Sequence, residues 1–205
     1  MSILVEGAPL RDARLDAKRT AILRGAKQVF LKNGFAGTSM DAVAERAGAS
    51  KMTVYRHFGS KEALFAGVIT ELCQQIVGDE FEEMLRLPPA KALRAFAEKM
   101  VAIVFAPETL ELHRIVIAES RRFPELGRMF YENGPEICID VLAKYFSRNR
   151  GNSQLKIGMP WRAAEEFLEL LRGYAHLRVI LGIEKAPSGK EIDMRIDSAL
   201  RHVLR

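Results

Sequence analysis

Between residues 50 and 61 the chain concentrates side chains suited to touching a polyanion. Ser50, Lys51, Met52, Thr53, Tyr55, Arg56, His57 and Lys61 supply cations, hydroxyls and an aromatic ring in one short stretch. Such groups donate to phosphate oxygens and to base edges. Thr38 and Ser39, a little upstream, stand where a helix begins, and the free N–H groups of a helix N-terminus favour a phosphate. Other chemistry is poorly supplied. No two of the four histidines have zinc spacing, so no metal is expected. Glu82–Glu83 and Glu165–Glu166 are adjacent pairs, and neighbours on a helix diverge rather than converge. Cys73 and Cys138 lie in apolar helical patterns without metal-ligand spacing and read as buried small hydrophobes in a reducing cytoplasm. Nothing resembles a nucleophile–base pair or a phosphate-binding glycine loop, so neither an enzyme nor a cofactor is expected.

The charge is distributed to match. Residues 1–61 hold eleven Lys and Arg against five Asp and Glu, whereas the rest of the chain is nearly neutral. A basic end on a neutral body suits a polyanion partner, although a solvated basic face would look the same. Arg11 and Arg14 precede the first periodic segment, as an arm for DNA or as a solvated tail. Residues 1–13 mix acids with arginines around no long apolar core and do not read as a signal peptide. No run of 18 apolar residues occurs, so no membrane span is expected and the reading is cytoplasmic.

These residues need a frame, and the frame reads as all-α. Period 3.6 recurs along the chain, and strand alternation is nowhere convincing. A first helix is predicted from about Leu15 to Asn33, with Ile22, Ala26, Val29 and Phe30 on its apolar stripe and a Gly34–Phe35 stop that folds Phe35 onto Phe30. Met40, Val43, Ala44 and Ala47 give a second, two-turn helix one buried face. A third runs from Lys51 to about Phe58, capped by Ser50 and burying Val54 and Phe58. A fourth, from Ser60 to about Leu85, is apolar on two sides and is expected to link two domains. Further helices are expected at about 90–105, 108–122, 124–132, 135–149, 162–182 and 190–204, separated by prolines and glycines.

The second and third helices form a helix-turn-helix. Gly48 allows a backbone turn where a Cβ would clash. Val54 and Phe58 lock the third helix down, and its polar face is left to enter a groove of helix width.

The residues around that turn resemble the TetR family of transcriptional regulators. Thr38–Ala44, then Ala47–Gly48–Ala49–Ser50, then Thr53–Val54–Tyr55–Arg56–His57–Phe58–Gly59–Ser60–Lys61–Glu62–Ala63–Leu64 follow that family's pattern without gaps. Ala49 departs from the usual Val or Ile, Gly59 from Pro or Lys, and Gly25 from Ala, the last at about 1 kcal/mol to its helix. The resemblance implies that Tyr55, His57 and Lys61 lie near phosphates while Lys51 and Met52 meet base edges. It implies a three-helix DNA-binding domain, set here at residues 14–61, and a helical regulatory and dimerisation domain over 62–205.

The C-terminal part resembles the AefR-like domain of some TetR-type repressors, at His113–Ser120, Phe123–Leu126 and Phe130–Pro135. The family's dimer bundle points to the last two helices, 162–182 and 190–204. Phe167–Leu181 is apolar on nearly every side, with His176 facing the seam, and Ile192, Ile196, Ala199, Leu200 and Val203 supply a matching stripe. A dimer implies a palindromic operator. Met100, Phe105, His113, Ile117, Phe130 and Tyr174 are the expected lining of a pocket for a small, mostly apolar effector. The alternative is a DNA binder without such a ligand, controlled by a protein partner or organising DNA.

Overall fold

The computed structural model describes residues 8–78, 83–84 and 86–205, with side chains from residue 16 onward. Its helices are α1 (Ala8–Asn33), α2 (Met40–Ala47), α3 (Lys51–Phe58), α4 (Lys61–Val77), α5 (Pro89–Val104), α6 (Pro107–Glu119), α7 (Pro124–Asn133), α8 (Pro135–Arg148), α9 (Pro160–Ile180) and α10 (Gly189–Val203). The first helix starts earlier than its apolar stripe suggests. The side chains of Arg11 and Arg14 lie outside the described residues, as do residues 79–82 and 85 beyond α4. The prolines expected to separate helices begin them: α5 to α9 each carry Pro in the first turn. A fixed φ suits that position, and the missing N–H would have had no helical partner there.

The chain divides into two compact units, Met1–Val68 and Ile69–Arg205, with the division inside α4. In the first unit Ile22, Ala26, Val29, Phe30, Met40, Val43, Ala44 and Val54 are buried together with Leu64, Phe65 and Val68 of α4. The edge of the Phe65 ring meets Phe30 at 5.1 Å and Phe35 at 5.6 Å, so the start of α4 belongs to this core. Phe35 does fold back, its ring 6.0 Å from Phe30. Gly25, unfavourable for the helix by itself, has a packing reason: a Cβ there would stand 3.1 Å from both the backbone N and the Cβ of Ala47. The residue lets α1 and α2 approach.

In the second unit α9 is central and packs on α8, α10, α6 and α5. Phe96, Leu142, Phe146, Ala164, Phe167, Leu171, Ile196 and Ala199 form the heart of its core. Gly173 breaks the helical path of α9, with φ 49° and ψ −165°. At the start of α10 the Glu191 carboxylate accepts from the Ser188 N–H and hydroxyl, and these bonds hold it below the usual carboxylate range. The chain end is tied back by Lys156 N–H to Val203 O and Arg205 N–H to Gln154 O. No described helix is long and apolar enough to cross a membrane.

Candidate nucleic-acid interface and internal cavity

In the first unit α2 and α3 are joined through Gly48, which adopts φ 62°. The Ser50 hydroxyl accepts from Thr53 N–H at 3.1 Å and lies 2.8 Å from the Thr53 hydroxyl, fixing where α3 begins. Ser39 caps α2 in the same way, accepting from Ala42 N–H at 3.2 Å. Val54 is fully buried and anchors α3; Phe58 is half-buried, with the Arg19 guanidinium 5.6 Å from its ring. With that side turned inward, Lys51, Met52, Tyr55 and Arg56 are exposed. Positions i and i+4, and i+1 and i+5, stack as two adjacent rows on a helix. The result is a short capped helix with one cationic and aromatic surface. Lys51 bridges to Asp41 of α2 at 2.9 Å, and this hydrogen bond raises the lysine pKa. Both partners are more than half exposed, so the pair opens readily to a competing anion.

Three of the expected contacts sit differently. Thr38 is buried, because its hydroxyl donates to Gly34 O at 2.7 Å and turns away from the surface that Ser39 keeps. His57 is half-buried beside Phe58, with its ring 6.3 Å away. The Lys61 ammonium points into the α1–α2 connection. It donates to the carbonyls of Phe35 at 2.8 Å, Thr38 at 3.1 Å and Ala36 at 3.3 Å, and lies 4.6 Å from the centre of the Phe35 ring. An ammonium has three donors, and all three are engaged. Lys61 therefore holds the loop that sets the start of α2.

The second unit contains a cavity of about 150 Å³. Ile69, Leu72, Cys73 and Ile76 of α4 form one wall; Met100, Leu112, Phe130, Cys138, Ile139 and Leu168 form much of the rest. Thr109, His113, Tyr131, Glu165, Glu169 and Arg172 are its charged and polar groups. Of the six expected lining residues, Met100, His113 and Phe130 meet there. Phe105 stands behind, its ring 5.8 Å from His176. Ile117 and Tyr174 do not line it: they are 64% and 78% exposed, in a shallow groove with Leu177 and Ile180. Trp161 is half exposed, in the first turn of α9 and outside the cavity lining.

His176 is buried rather than at a seam. Its Nε2 lies 2.9 Å from His113 Nδ1, and His113 in turn packs edge-on against Phe130 at 4.7 Å. Burial, with the charges of His176 and Arg172 adding to it, holds His113 down to about 3. Burial and Arg172 hold His176 down to about 4. Both rings are neutral at pH 7, one donating and the other accepting. The stripe on α10 is also inward: Ile196, Ala199, Leu200 and Val203 are buried in the protomer's own core, and Ile192 packs against it. Outward apolar residues of α9 and its C-cap include Leu170, Tyr174, Leu177 and Leu181; Ile117 of α6 and Met194 of α10 are exposed as well.

The residue pattern does not mark the α4 wall with Cys73, or Cys138 on α8, as cavity lining. The available signal was the helix's apolar second side at Ile69, Leu72 and Ile76.

Comparison with known proteins agrees with this architecture. Residues 22–68 match the family model for bacterial regulatory proteins of the tetR family. Residues 91–205 match that for the AefR-like transcriptional repressor C-terminal domain. Among curated relatives, the HTH-type transcriptional regulator RutR of Escherichia coli (strain K12) is 32% identical over 133 residues, 65% of this chain. The chain spans about half the length of that relative, 52%. A TetR-family regulator from Mesorhizobium loti MAFF303099 superposes with a TM-score of 0.76 at 30% identity, over 92% of this chain and 95% of its own. The flavonoid-responsive regulator FrrA superposes with a TM-score of 0.66 at 38% identity, over 91% and 94%.

Proposed function

Because the chain belongs to the TetR family of helix-turn-helix transcriptional regulators, with an AefR-like C-terminal domain, we propose that it represses a palindromic operator and is released by a small, mostly apolar effector. The observation that carries the DNA half is the exposed face of α3, Lys51, Met52, Tyr55 and Arg56, on a helix seated by Val54 and capped by Ser50. In this reading Tyr55 and Arg56 contact phosphates, Lys51 leaves Asp41 for a base edge, and Ser39 offers a phosphate its hydroxyl and the N-terminus of α2. Lys61 acts indirectly, by holding the start of α2.

Two copies are required for a palindrome. Tyr174, Leu177 and Leu181 follow the helix repeat beyond the Gly173 break, and with Leu170 before it they leave apolar side chains on the protomer's outside. It supports a homodimer through α9, with Ile117 beside it and α10 behind it. The expected operator has two inverted half-sites one or more helical turns apart, about 34–36 Å per turn.

The effector half rests on the cavity and on one continuous helix. A cavity of about 150 Å³ is benzene-sized. FrrA is named for its response to flavonoids, and an aromatic effector of that size would exceed the cavity of this chain as it stands. It would have to displace wall residues, and Ile69, Leu72, Cys73 and Ile76 belong to the helix whose first turns lie in the DNA-binding unit. A displacement worth about 1–3 kcal/mol between bound and free states would be enough for release.

Selection of bound duplexes from a random pool tests the DNA reading, with an inverted repeat expected. Recovery of no preferred sequence over bulk DNA would overturn it. A thermal-shift screen of aromatic compounds tests the effector. If no compound both stabilises the chain and releases the selected duplex, control by a protein partner replaces it.

A further inference from the structure

The chain has two cysteines, 65 positions apart, and the fold brings them together. Cys73 Sγ on α4 lies 3.6 Å from Cys138 Sγ on α8. Both are free thiols, and both line the cavity. The thiols are therefore in van der Waals contact on the wall of a space that a small molecule can enter. We infer that Cys73 and Cys138 are a hydroperoxide-oxidisable pair whose disulfide clamps α4 to α8 and closes the cavity to effectors. The clamp's effect on ligand rests on the effector reading above; the disulfide does not.

The geometry favours the bond. Bringing the sulfurs from contact to a bond of about 2.05 Å needs an approach of roughly 1.5 Å, within reach of side-chain rotation and a small helix shift. The two thiols are not equivalent. Hydrogen bonding from Cys138 lowers the Cys73 pKa against the opposing effect of burial, whereas the bond to Cys73 and burial push Cys138 up. Cys73 is thus the thiol that ionises and attacks. Its thiolate sulfur attacks one oxygen of the peroxide O–O bond, giving a Cys73 sulfenic acid and a hydroxide that takes up the thiol's proton as water. Cys138 sulfur then attacks the sulfenic sulfur. The S–S bond forms, the S–OH bond breaks, and a second water leaves with the Cys138 proton. Two thiols and one hydrogen peroxide become one disulfide and two waters, with two electrons passing to the peroxide. A dithiol reductant reverses it.

Ile69, Cys73 and Ile76 are buried, so this end of α4 is held by non-covalent packing and hydrogen bonds. Polar contacts from α4 to the α7–α8 corner include Thr70 Oγ1 to Asn133 Oδ1 at 3.3 Å and Cys73 Sγ to Gly134 O at 3.6 Å. These are long and yield when a ligand pushes on the wall. A covalent bond in the same place does not.

The full chain, reduced and then exposed to hydrogen peroxide, should be alkylated at neither cysteine after denaturation and should be lighter by two hydrogens. A peptide containing Cys73 should be linked to one containing Cys138 of the same chain. In Cys138→Ser, dimedone should label Cys73. In Cys73→Ser, oxidation of Cys138 should be roughly tenfold slower or more. Far-UV circular dichroism checks that each variant is folded. Two alkylatable thiols after peroxide, or a link formed only between chains, would overturn the pair; equal rates for both single variants would overturn the assignment of Cys73 as the attacking thiol. For the clamp, anilinonaphthalene sulfonate should bind the reduced chain and bind the oxidised one at least about tenfold more weakly, with dithiothreitol restoring it. Equal binding by both forms overturns the clamp. Absence of dye binding by the reduced chain overturns the effector reading and with it the closing of the cavity, while the disulfide stands or falls on the thiol map.

Discussion

Replacing Lys61 with methionine keeps most of the aliphatic stem and removes the ammonium, which separates two roles for this residue. If the lysine holds the α1–α2 connection, three carbonyls lose their charged donor. The bond to Ala36 is exposed, and water replaces it. Those to Phe35 and Thr38 are partly buried, and their carbonyls are left poorly paired. At about 1–1.5 kcal/mol for each of these two, Lys61→Met should lose roughly 2–3 kcal/mol. The ammonium's contact with the Phe35 ring adds about 0.5–1 kcal/mol. Urea unfolding followed by far-UV circular dichroism reads this as a lower midpoint with an unchanged slope. Amide exchange should rise first at residues 35–42, around the bonded carbonyls. A phosphate-contacting lysine predicts the opposite pattern. Stability would then stay within about 0.5 kcal/mol of the parent, and the salt dependence of DNA binding would fall by roughly 0.9. That second pattern would refute the positioning role.

On the DNA face, Arg56→Ala should weaken binding to all duplexes and lower the salt slope by roughly 0.9, whereas Lys51→Ala should cost about 1–3 kcal/mol at the preferred site only; binding titrations at several salt concentrations separate the two. The double variant Leu177→Arg, Leu181→Arg places charges on the outward stripe of α9 and should sediment as a folded monomer at micromolar concentration; an unchanged dimer would move the interface elsewhere. The His113–His176 pair makes stability pH-dependent. Both folded values lie below the ordinary histidine value of 6.5, so the unfolded chain takes up protons first, and stability present above pH 6.5 declines as the pH falls to about 4 for His176 and about 3 for His113. At pH 5 the loss should be roughly 1–2 kcal/mol per ring, and a His113→Gln, His176→Gln double variant should flatten that part of the curve measured by urea unfolding.

The helical frame was legible because its signals are local. Apolar spacing marks α2, and with the Ser50 cap it marks α3, although Ser39 rather than Thr38 caps α2; proline and glycine mark nearly every later boundary. What was not legible depends on contacts far apart in sequence. An apolar stripe announces that it will be covered but not by what. The α10 stripe at Ile196, Ala199 and Leu200 is covered by its own protomer, leaving the α9 residues Tyr174 and Leu177 outside. The break at Gly173 interrupts the helical phase on which a reading of Tyr174 as cavity-lining depends. Nothing near Cys73 points to Cys138, and nothing near His113 points to His176. In the first unit Thr38 and Lys61 looked like phosphate ligands by type and place. Backbone carbonyls at Gly34, Phe35 and Thr38 itself claim them instead, and carbonyl direction leaves no trace in a residue pattern.

Trp161 is the chain's one tryptophan, half exposed in the opening turn of α9, and the first unit has none. Ultraviolet emission from the indole is therefore an optical channel for the second unit alone. A quencher added to the solution samples that turn directly. Any change in colour or intensity on adding a duplex then reports on the second unit. The molecule carries its own dye at a single address, and the effects of DNA and effector can be followed in one cuvette without attaching a label.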